Sequence, residues 1–500
     1  MAFTSHIFLF YFLPVLLALY YVLPQRFLVG RNLLLLAASY AFYAWIDLRF
    51  AGLLFVMTVV NYVLSRGITA GCHVHARVDM PDASEACLRK RKHGTRLPGL
   101  LTVFAVAIDL AVLGFFKYMG FFQTNLNHVL SAAGAGLLPV LEVVLPVGIS
   151  FYTFKLISYI VDTYRGQSAP ARSLLKFACY VAFFPQLLSG PIQRYGTVDR
   201  KSELVPTFAD QLVSRACTLD KFSWGVALFM LGFAKKILLA NSVAQVADAV
   251  FAAESPGTLD AWFGALAYSF QLYFDFSAYS EMAIGVGLML GFECPRNFDA
   301  PYRAAGFSDF WRRWHISLSS WLRDYLYIPL GGSRAGAGWN YANLMIVFLL
   351  CGLWHGAGWT FIVWGAWQGF WLVVERTVGR RPLYVAFPAS IQVLLTFLLV
   401  TVGWVVFRAD TLAHAWRMLS TMFSLGWPQG SSALLSAVIY TRGHLILMGL
   451  CAVLVLQPLQ GFDWTRRLTW PRGLVLIVLF ALALMTMFAQ SFRSFLYFQF

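Results

Sequence analysis

Two histidines stand in segments whose residue types suit chemistry. His355 lies in Gly352-Leu353-Trp354-His355-Gly356-Ala357, within a stretch from Tyr341 to Val374 that carries no charged residue. His315 lies in Trp311-Arg312-Arg313-Trp314-His315-Ile316-Ser317-Leu318-Ser319-Ser320-Trp321-Leu322-Arg323-Asp324-Tyr325. A neutral imidazole takes up and releases a proton near pH 7 without first burying a full charge. At membrane depth that suits general-base activation of a hydroxyl in acyl transfer. The competing reading of either histidine alone is a ring that hydrogen-bonds a neighbouring helix; two of them, in Trp-rich and Gly-rich surroundings, favour function.

Other residues invite weaker readings. Cys351 precedes His355 by four residues, which permits a Cys–His pair on one helix face. A small packed thiol is the simpler reading, because apolar burial raises a thiol's pKa. No metal site is expected: His73 and His75 sit in a basic loop, and no carboxylate or cysteine ladder joins them or His315 and His355 at ligand spacing. His6, His93, His128, His414 and His444 have no partner in sequence. Asp275 and Tyr279 fall one turn apart in an apolar run, so the pair can orient a histidine or a substrate group. A carboxylate capped by tyrosine and serine hydroxyls reads equally well.

The elements that must hold these residues are set by composition. The chain has 500 residues, 59% hydrophobic and 17% aromatic but only 12% charged, with a mean hydropathy of +0.66. Soluble chains carry about 25% charged residues. That excludes a disordered chain, a coiled coil and an ordinary cytosolic enzyme, and leaves an all-α polytopic membrane protein. Apolar runs at roughly 7–24, 33–46, 50–64, 99–118, 144–161, 173–190, 223–246, 260–292, 342–374, 385–407, 443–459 and 473–491 predict about nine to twelve transmembrane or re-entrant helices. The first run has no basic leader or A-x-A site and reads as a retained helix. Seven scattered cysteines with no C-x-x-C indicate neither a disulfide framework nor a zinc knuckle.

The 38 Lys+Arg against 23 Asp+Glu leave a net charge of +15. Much of the excess falls in a basic loop at about 66–98, containing Arg66, Arg77, Arg89, Lys90, Arg91, Lys92 and Arg96, which the basic bias of inner loops places in the cytoplasm. Read at helical spacing, Trp311, His315, Leu318, Leu322 and Tyr325 form one stripe of an amphipathic helix starting at an N-cap, Ser308. The stretch 341–374 would make a helix of about 51 Å, so it must break, at Gly352, Gly356 and Gly358. Counted from Leu344, His355 falls about 16 Å in, near the bilayer midplane. Asp109, Lys155, Asp275 and Glu281, ionisable within apolar runs, would form the ion path of a secondary transporter or glycan-export channel.

The two histidine motifs together resemble the membrane-bound O-acyltransferase (MBOAT) family, within it the membrane subunits of alginate O-acetylation. So do Tyr273-Phe274-Asp275-Phe276-Ser277, Pro185 with Ser189-Gly190-Pro191, Pro146-Val147-Gly148-Ile149-Ser150-Phe151, and the closing Phe495-Leu496-Tyr497-Phe498-Gln499-Phe500. The likeness runs over residues 1–500 as one membrane domain.

The resemblance implies an O-acetyltransferase with helices around a central tunnel, and acetyl-CoA as donor on the cytoplasmic side. It also implies a polysaccharide acceptor beyond the membrane, reached through a periplasmic SGNH-hydrolase-like partner, and a bacterial inner-membrane location. It makes His355 the essential histidine and His315 the second. Arg312, Arg313 and Arg323, with Asp324 beside them, can attract CoA phosphates or snorkel to headgroups. Ala278, Glu281, Ser333, Ala335 and Gly358 depart from the family pattern, which leaves alginate, cellulose and peptidoglycan open as the glycan. No nucleic acid is needed to account for the charge.

Overall fold

In lipid every backbone N–H and C=O must be satisfied within the protein, so apolar runs resolve into helices. The computed structural model describes residues 1–70, 96–196, 205–334, 336–379, 381–424, 432–490 and 493–496. It is 74% helical, with no strand among the described residues. The chain divides into two compact units, Met1–Gly225 with Val286–Pro295, and Val226–Gly285 with Arg296–Phe500.

The first unit contains α1 (Phe8–Val22), α2 (Leu28–Ala44), α3 (Leu48–Thr69), α4 (Leu97–Ala132), α5 (Ile149–Arg165), α6 (Leu174–Ala182), α7 (Phe184–Leu187), α8 (Phe208–Val213) and the start of α9 (Leu219–Ala252). Phe8, Phe12, Phe42 and Phe184 pack as an aromatic cluster between α1, α2 and α7. Two residues that suggested an ion path are held locally. Asp109 of α4 accepts from Asn61 Nδ2 of α3 at 2.8 Å, and Lys155 Nζ donates to the Tyr180 carbonyl at 2.8 Å. Most of the basic loop, including Arg77, Arg89, Lys90, Arg91 and Lys92 with His73, His75 and His93, lies outside the described residues.

The second unit holds the rest of α9, most of α10 (Thr258–Met289), then α11 (Phe307–Arg313), α12 (Ile316–Leu322), α13 (Ala337–His355), α14 (Trp359–Thr377) and α15 (Ala389–Arg408). It ends with α16 (Leu412–Phe423), α17 (Ala433–Ile439), α18 (Arg442–Val455), α19 (Gly461–Arg466) and α20 (Trp470–Ala489). Among the described residues six helices are long and apolar enough to cross a membrane: α3, α4, α9, α13, α15 and α20. The pair α17 and α18, bent by 54°, makes a seventh if counted as one span. The remaining apolar windows of the sequence are helices too. Among them α1 and α2 are shorter, and α10 buries Asp275 and Glu281; the chain is an all-α polytopic membrane protein.

Candidate active site

His355 is the last residue of α13, and the chain then runs extended through Gly356 and Gly358 to α14. The break falls among the expected glycines. The helix, however, begins at Ala337, so His355 ends 19 residues of helix, about 28 Å from its start rather than the 16 Å counted from Leu344. Residues 337–341 are helical although the apolar run 342–374 excludes them. The α13–α14 hairpin needs glycine where the backbones meet. A Cβ on Gly352 would fall 2.2 Å from the Phe361 carbonyl oxygen, and one on Gly365 2.2 Å from that of Phe348; small residues are what permit such close helix approach. The His355 ring is buried among aromatics, with centroids at 5.0 Å from Trp354, 5.0 Å from Trp364 and 5.4 Å from Phe407. Cys351, one turn back, is fully buried.

The segment 308–325 is not one helix. It stops at Arg313, His315 adopts the left-handed φ 43°, ψ 55°, and α12 restarts at Ile316. Nor does Ser308 cap it. Gly306 occupies the cap position, and the Glu375 carboxylate of α14 accepts the N–H groups of Phe307 and Ser308, the latter at 2.8 Å. A carboxylate there complements the helix dipole. Trp311, His315, Leu318 and Leu322 are still the buried face, while Tyr325 is half-buried in a π-helical turn, Arg323–Tyr327.

Asn297 locks the break at His315. Its carbonyl accepts Ile316 N–H at 2.9 Å, and its Oδ1 accepts Ser317 N–H at 3.2 Å and Ser317 Oγ at 2.9 Å. The same Oδ1 faces His315 Nδ1 at 3.2 Å. An atom that accepts from a backbone N–H is an oxygen, so the network assigns the hydrogen to Nδ1 and a lone pair to Nε2. His315 is fully buried, and that desolvation pushes its pKa down to about 3. The ring is therefore neutral at physiological pH. Trp354 borders both histidines, 6.4 Å from the ring of His315 and 5.0 Å from that of His355.

Directly after His355, residues Gly356, Ala357 and Gly358 line a cavity of ≈ 770 Å³. Phe407, against the His355 ring, lines it too. Lys236, Asn241 and Asp248 of α9 and Gln271 of α10 line it as well, with Arg408, Asp410, Arg493, Ser494 and Leu496. The residues Lys235–Ala240 form a π-helical turn, a local re-aiming common at functional sites. It sends Lys235 to Glu281 at 2.7 Å and Lys236 to Asp275.

Asp275 and Tyr279, read either as orienting a histidine or substrate group or as a carboxylate capped by hydroxyls, hold the C-terminal segment. Asp275 Oδ2 accepts Leu496 N–H at 2.8 Å, Lys236 Nζ donates to the Ser494 carbonyl at 3.2 Å, and Tyr279 meets the Phe495 ring at 4.9 Å. Residues 497–500 lie outside the described ones. Lys236, Asn241, Asp248, Gln271, Arg408 and Arg493 were not singled out from the sequence. The one available signal was the pair of lysines at 235 and 236 in an apolar run, mirrored by the carboxylates at 275 and 281.

The arginines near His315 are not part of this cavity's lining. Arg313 pairs with Asp309 at 2.9 Å, Arg323 with Asp324 at 2.7 Å, and the Arg312 side chain is 64% exposed, 3.7 Å from Asp309. Among the described residues, no three His, Cys, Asp or Glu side chains are grouped as metal ligands would be.

Comparison with known proteins bears on this arrangement. The model of the membrane-bound O-acyltransferase family matches residues 171–392, which include both histidines. A probable alginate O-acetylase of Azotobacter vinelandii is 43% identical over 537 aligned positions, covering all of both chains. A second, from Pseudomonas putida, is 44% identical, again over all of both. A peptidoglycan O-acetyltransferase of Helicobacter pylori is 36% identical over 85% of this chain and 80% of its own. With both histidine motifs inside the matched region and full-length relatives at this identity, the chain belongs to the membrane-bound O-acyltransferase family and is a multi-pass membrane O-acyltransferase.

Proposed function

We propose that this protein transfers acetyl groups from a cytoplasmic thioester, acetyl-CoA, toward an alginate-like polysaccharide beyond the bacterial inner membrane, through a periplasmic SGNH-hydrolase-like partner. The observation that carries the reading is His355 at the broken end of α13, with the cavity wall starting at the next residue. The relatives named for alginate O-acetylation support the acetyl group and the glycan.

In this reading His355 is the general base. It takes the proton of the acceptor hydroxyl as the oxygen attacks the thioester carbonyl carbon; the C–O bond forms, the C–S bond breaks, and the departing thiolate takes up a proton. His315, neutral and with its Nδ1 hydrogen committed to Asn297, presents a lone pair at Nε2 and no positive charge. That suits it to orient a donor group by accepting its hydrogen bond, and unsuits it to polarise a carbonyl. A transporter reading loses its ground in the local partners of Asp275, Glu281 and Lys155. Peptidoglycan is the second acceptor reading, favoured by the Helicobacter pylori relative.

The test is the acetyl content of exopolysaccharide and peptidoglycan in cells carrying His355→Ala in place of the native chain. Loss of acetyl from the exopolysaccharide, with the variant inserted and folded, is the expected result. Full acetylation by such a variant would remove the proposal, and loss from peptidoglycan alone would move it to the second acceptor.

A further inference from the structure

Phe407 belongs both to the packing of His355 and to the wall of the cavity. Trp354, Trp364 and Phe407 set their rings against the imidazole, and of the three Phe407 alone lines the cavity. Phe361 lines it as well and stands edge-on to Phe407, with ring centroids 5.0 Å apart and planes at 88°. Beside His355 the wall is therefore two phenyl rings and the chain from Gly356 to Gly358.

Neither ring has room to turn aside. Phe407 is buried and meets Trp364 edge-on at 5.1 Å and Trp404 at 5.7 Å, and those two buried indoles stack on each other at 5.6 Å. Phe361 presses on Gly356, where a Cβ would fall 2.1 Å from its Cε2. Rings packed to this density admit an added methylene only by strain. Elsewhere the wall carries charge, from Lys236, Asp248, Arg408, Asp410 and Arg493. An alkyl chain laid there would cost those groups their solvation.

A short hydrocarbon fits this corner and a long one does not. Resting on the acyl-transfer reading above, we propose that Phe407 sets which acyl group is transferred. The methyl of an acetyl thioester lies against Phe407 and Phe361, and the fixed ring of Phe407 keeps longer acyl chains from reaching His355. Phe407 is a specificity-determining residue on the donor side, and the choice it makes is the same whatever hydroxyl receives the acyl group.

Competition between equimolar acetyl-CoA and propionyl-CoA tests this in membranes of the producing cells, where the chain works with its own acceptor machinery. Mass spectrometry follows the loss of each thioester, with membranes carrying His355→Ala as the blank, and gives the ratio of the two kcat/KM values. Wild type is expected to favour acetyl-CoA by about 10–200-fold, the usual effect of one methylene in an apolar pocket. Phe407→Leu is expected to cut that ratio by about tenfold through faster use of propionyl-CoA, and Phe407→Ala to admit butyryl-CoA too. Both thioesters meet the same molecules, so the ratio is independent of how much of a variant folds. Phe407→Leu carries the test if alanine unfolds the chain. A wild-type ratio in Phe407→Leu overturns the proposal, as does a ratio that falls only because acetyl-CoA is used more slowly. A wild type that uses both thioesters alike overturns it and leaves the acyl-transfer reading standing. A wild type that uses neither removes that reading, and this one with it.

Discussion

Lys236 and Asp275 meet as an ion pair at the cavity wall, each side chain only 3% exposed, and between them they hold the backbone of Ser494 and Leu496. Removing one partner leaves a buried charge uncompensated. Asp275→Asn is expected to destabilise the fold by about 3–5 kcal/mol, whereas a paired apolar replacement, Lys236→Met with Asp275→Leu, loses much less. Thermal unfolding of the purified variants checks the ranking. Limited proteolysis reads the C-terminal segment separately: it becomes cleavable in the paired apolar variant, which has no acceptor for the Leu496 N–H, whereas the amide oxygen of Asp275→Asn can still accept it.

Replacing His355 tests chemistry apart from packing. His355→Gln keeps a polar side chain among Trp354, Trp364 and Phe407 and is expected to lower acyl transfer by about 10²–10⁴-fold, the usual worth of a general base. The melting temperature should move little. A variant that loses activity and melting temperature together would point to a packing role.

His315 links stability to pH in a defined direction. Its folded pKa, about 3, lies below the 6.5 of an unhindered histidine, with desolvation as the cause. Between those values the unfolded chain binds a proton that the folded chain refuses, so this contribution is intact above pH 6.5 and falls away as the pH drops toward 3. His315→Asn, which keeps a polar group and tolerates the left-handed backbone, is expected to flatten the acid side of the stability curve. His315→Val cannot take φ 43° without strain and should melt earliest of the three. Thermal unfolding from pH 4 to 8 checks both statements. If His315 and Asn variants share the same acid dependence, another group carries it.

The hairpin that presents His355 rests on glycine. Gly352→Ala places a methyl 2.2 Å from a backbone oxygen that has no free end to move. About 1–3 kcal/mol of destabilisation is expected, with a loss of transfer larger than stability alone explains, because α13 must shift and His355 ends it. Measuring kcat at a temperature where the variant remains folded separates the two effects.

Arg312 provides a contrast. Its side chain is 64% exposed and stands 3.7 Å from Asp309, a pair worth about 0–1 kcal/mol. Arg312→Ala is expected to leave melting temperature, kcat and KM for acetyl-CoA within twofold of wild type. A large rise in that KM would restore the phosphate-binding role that its position in sequence suggested.

The sequence by itself determined the environment and the candidates. Low charge and long apolar runs require helices in lipid, and against that background His315 and His355 stand out from nearest-neighbour chemistry alone. The break after His355 was legible for the same local reason, since three glycines interrupt a run too long for one span. Tertiary structure decided what those residues touch. Glu375 caps α11 from 68 positions away in sequence, measured to Phe307, and Asn297 breaks at His315 a helix whose periodicity reads as continuous. Asp275 turns from the histidines to the C-terminal segment because a π-helical turn delivers Lys236 to it. Phe407 carries no local signal at all, being one of 45 phenylalanines; it becomes conspicuous only when packing sets its ring against His355 and in the cavity wall.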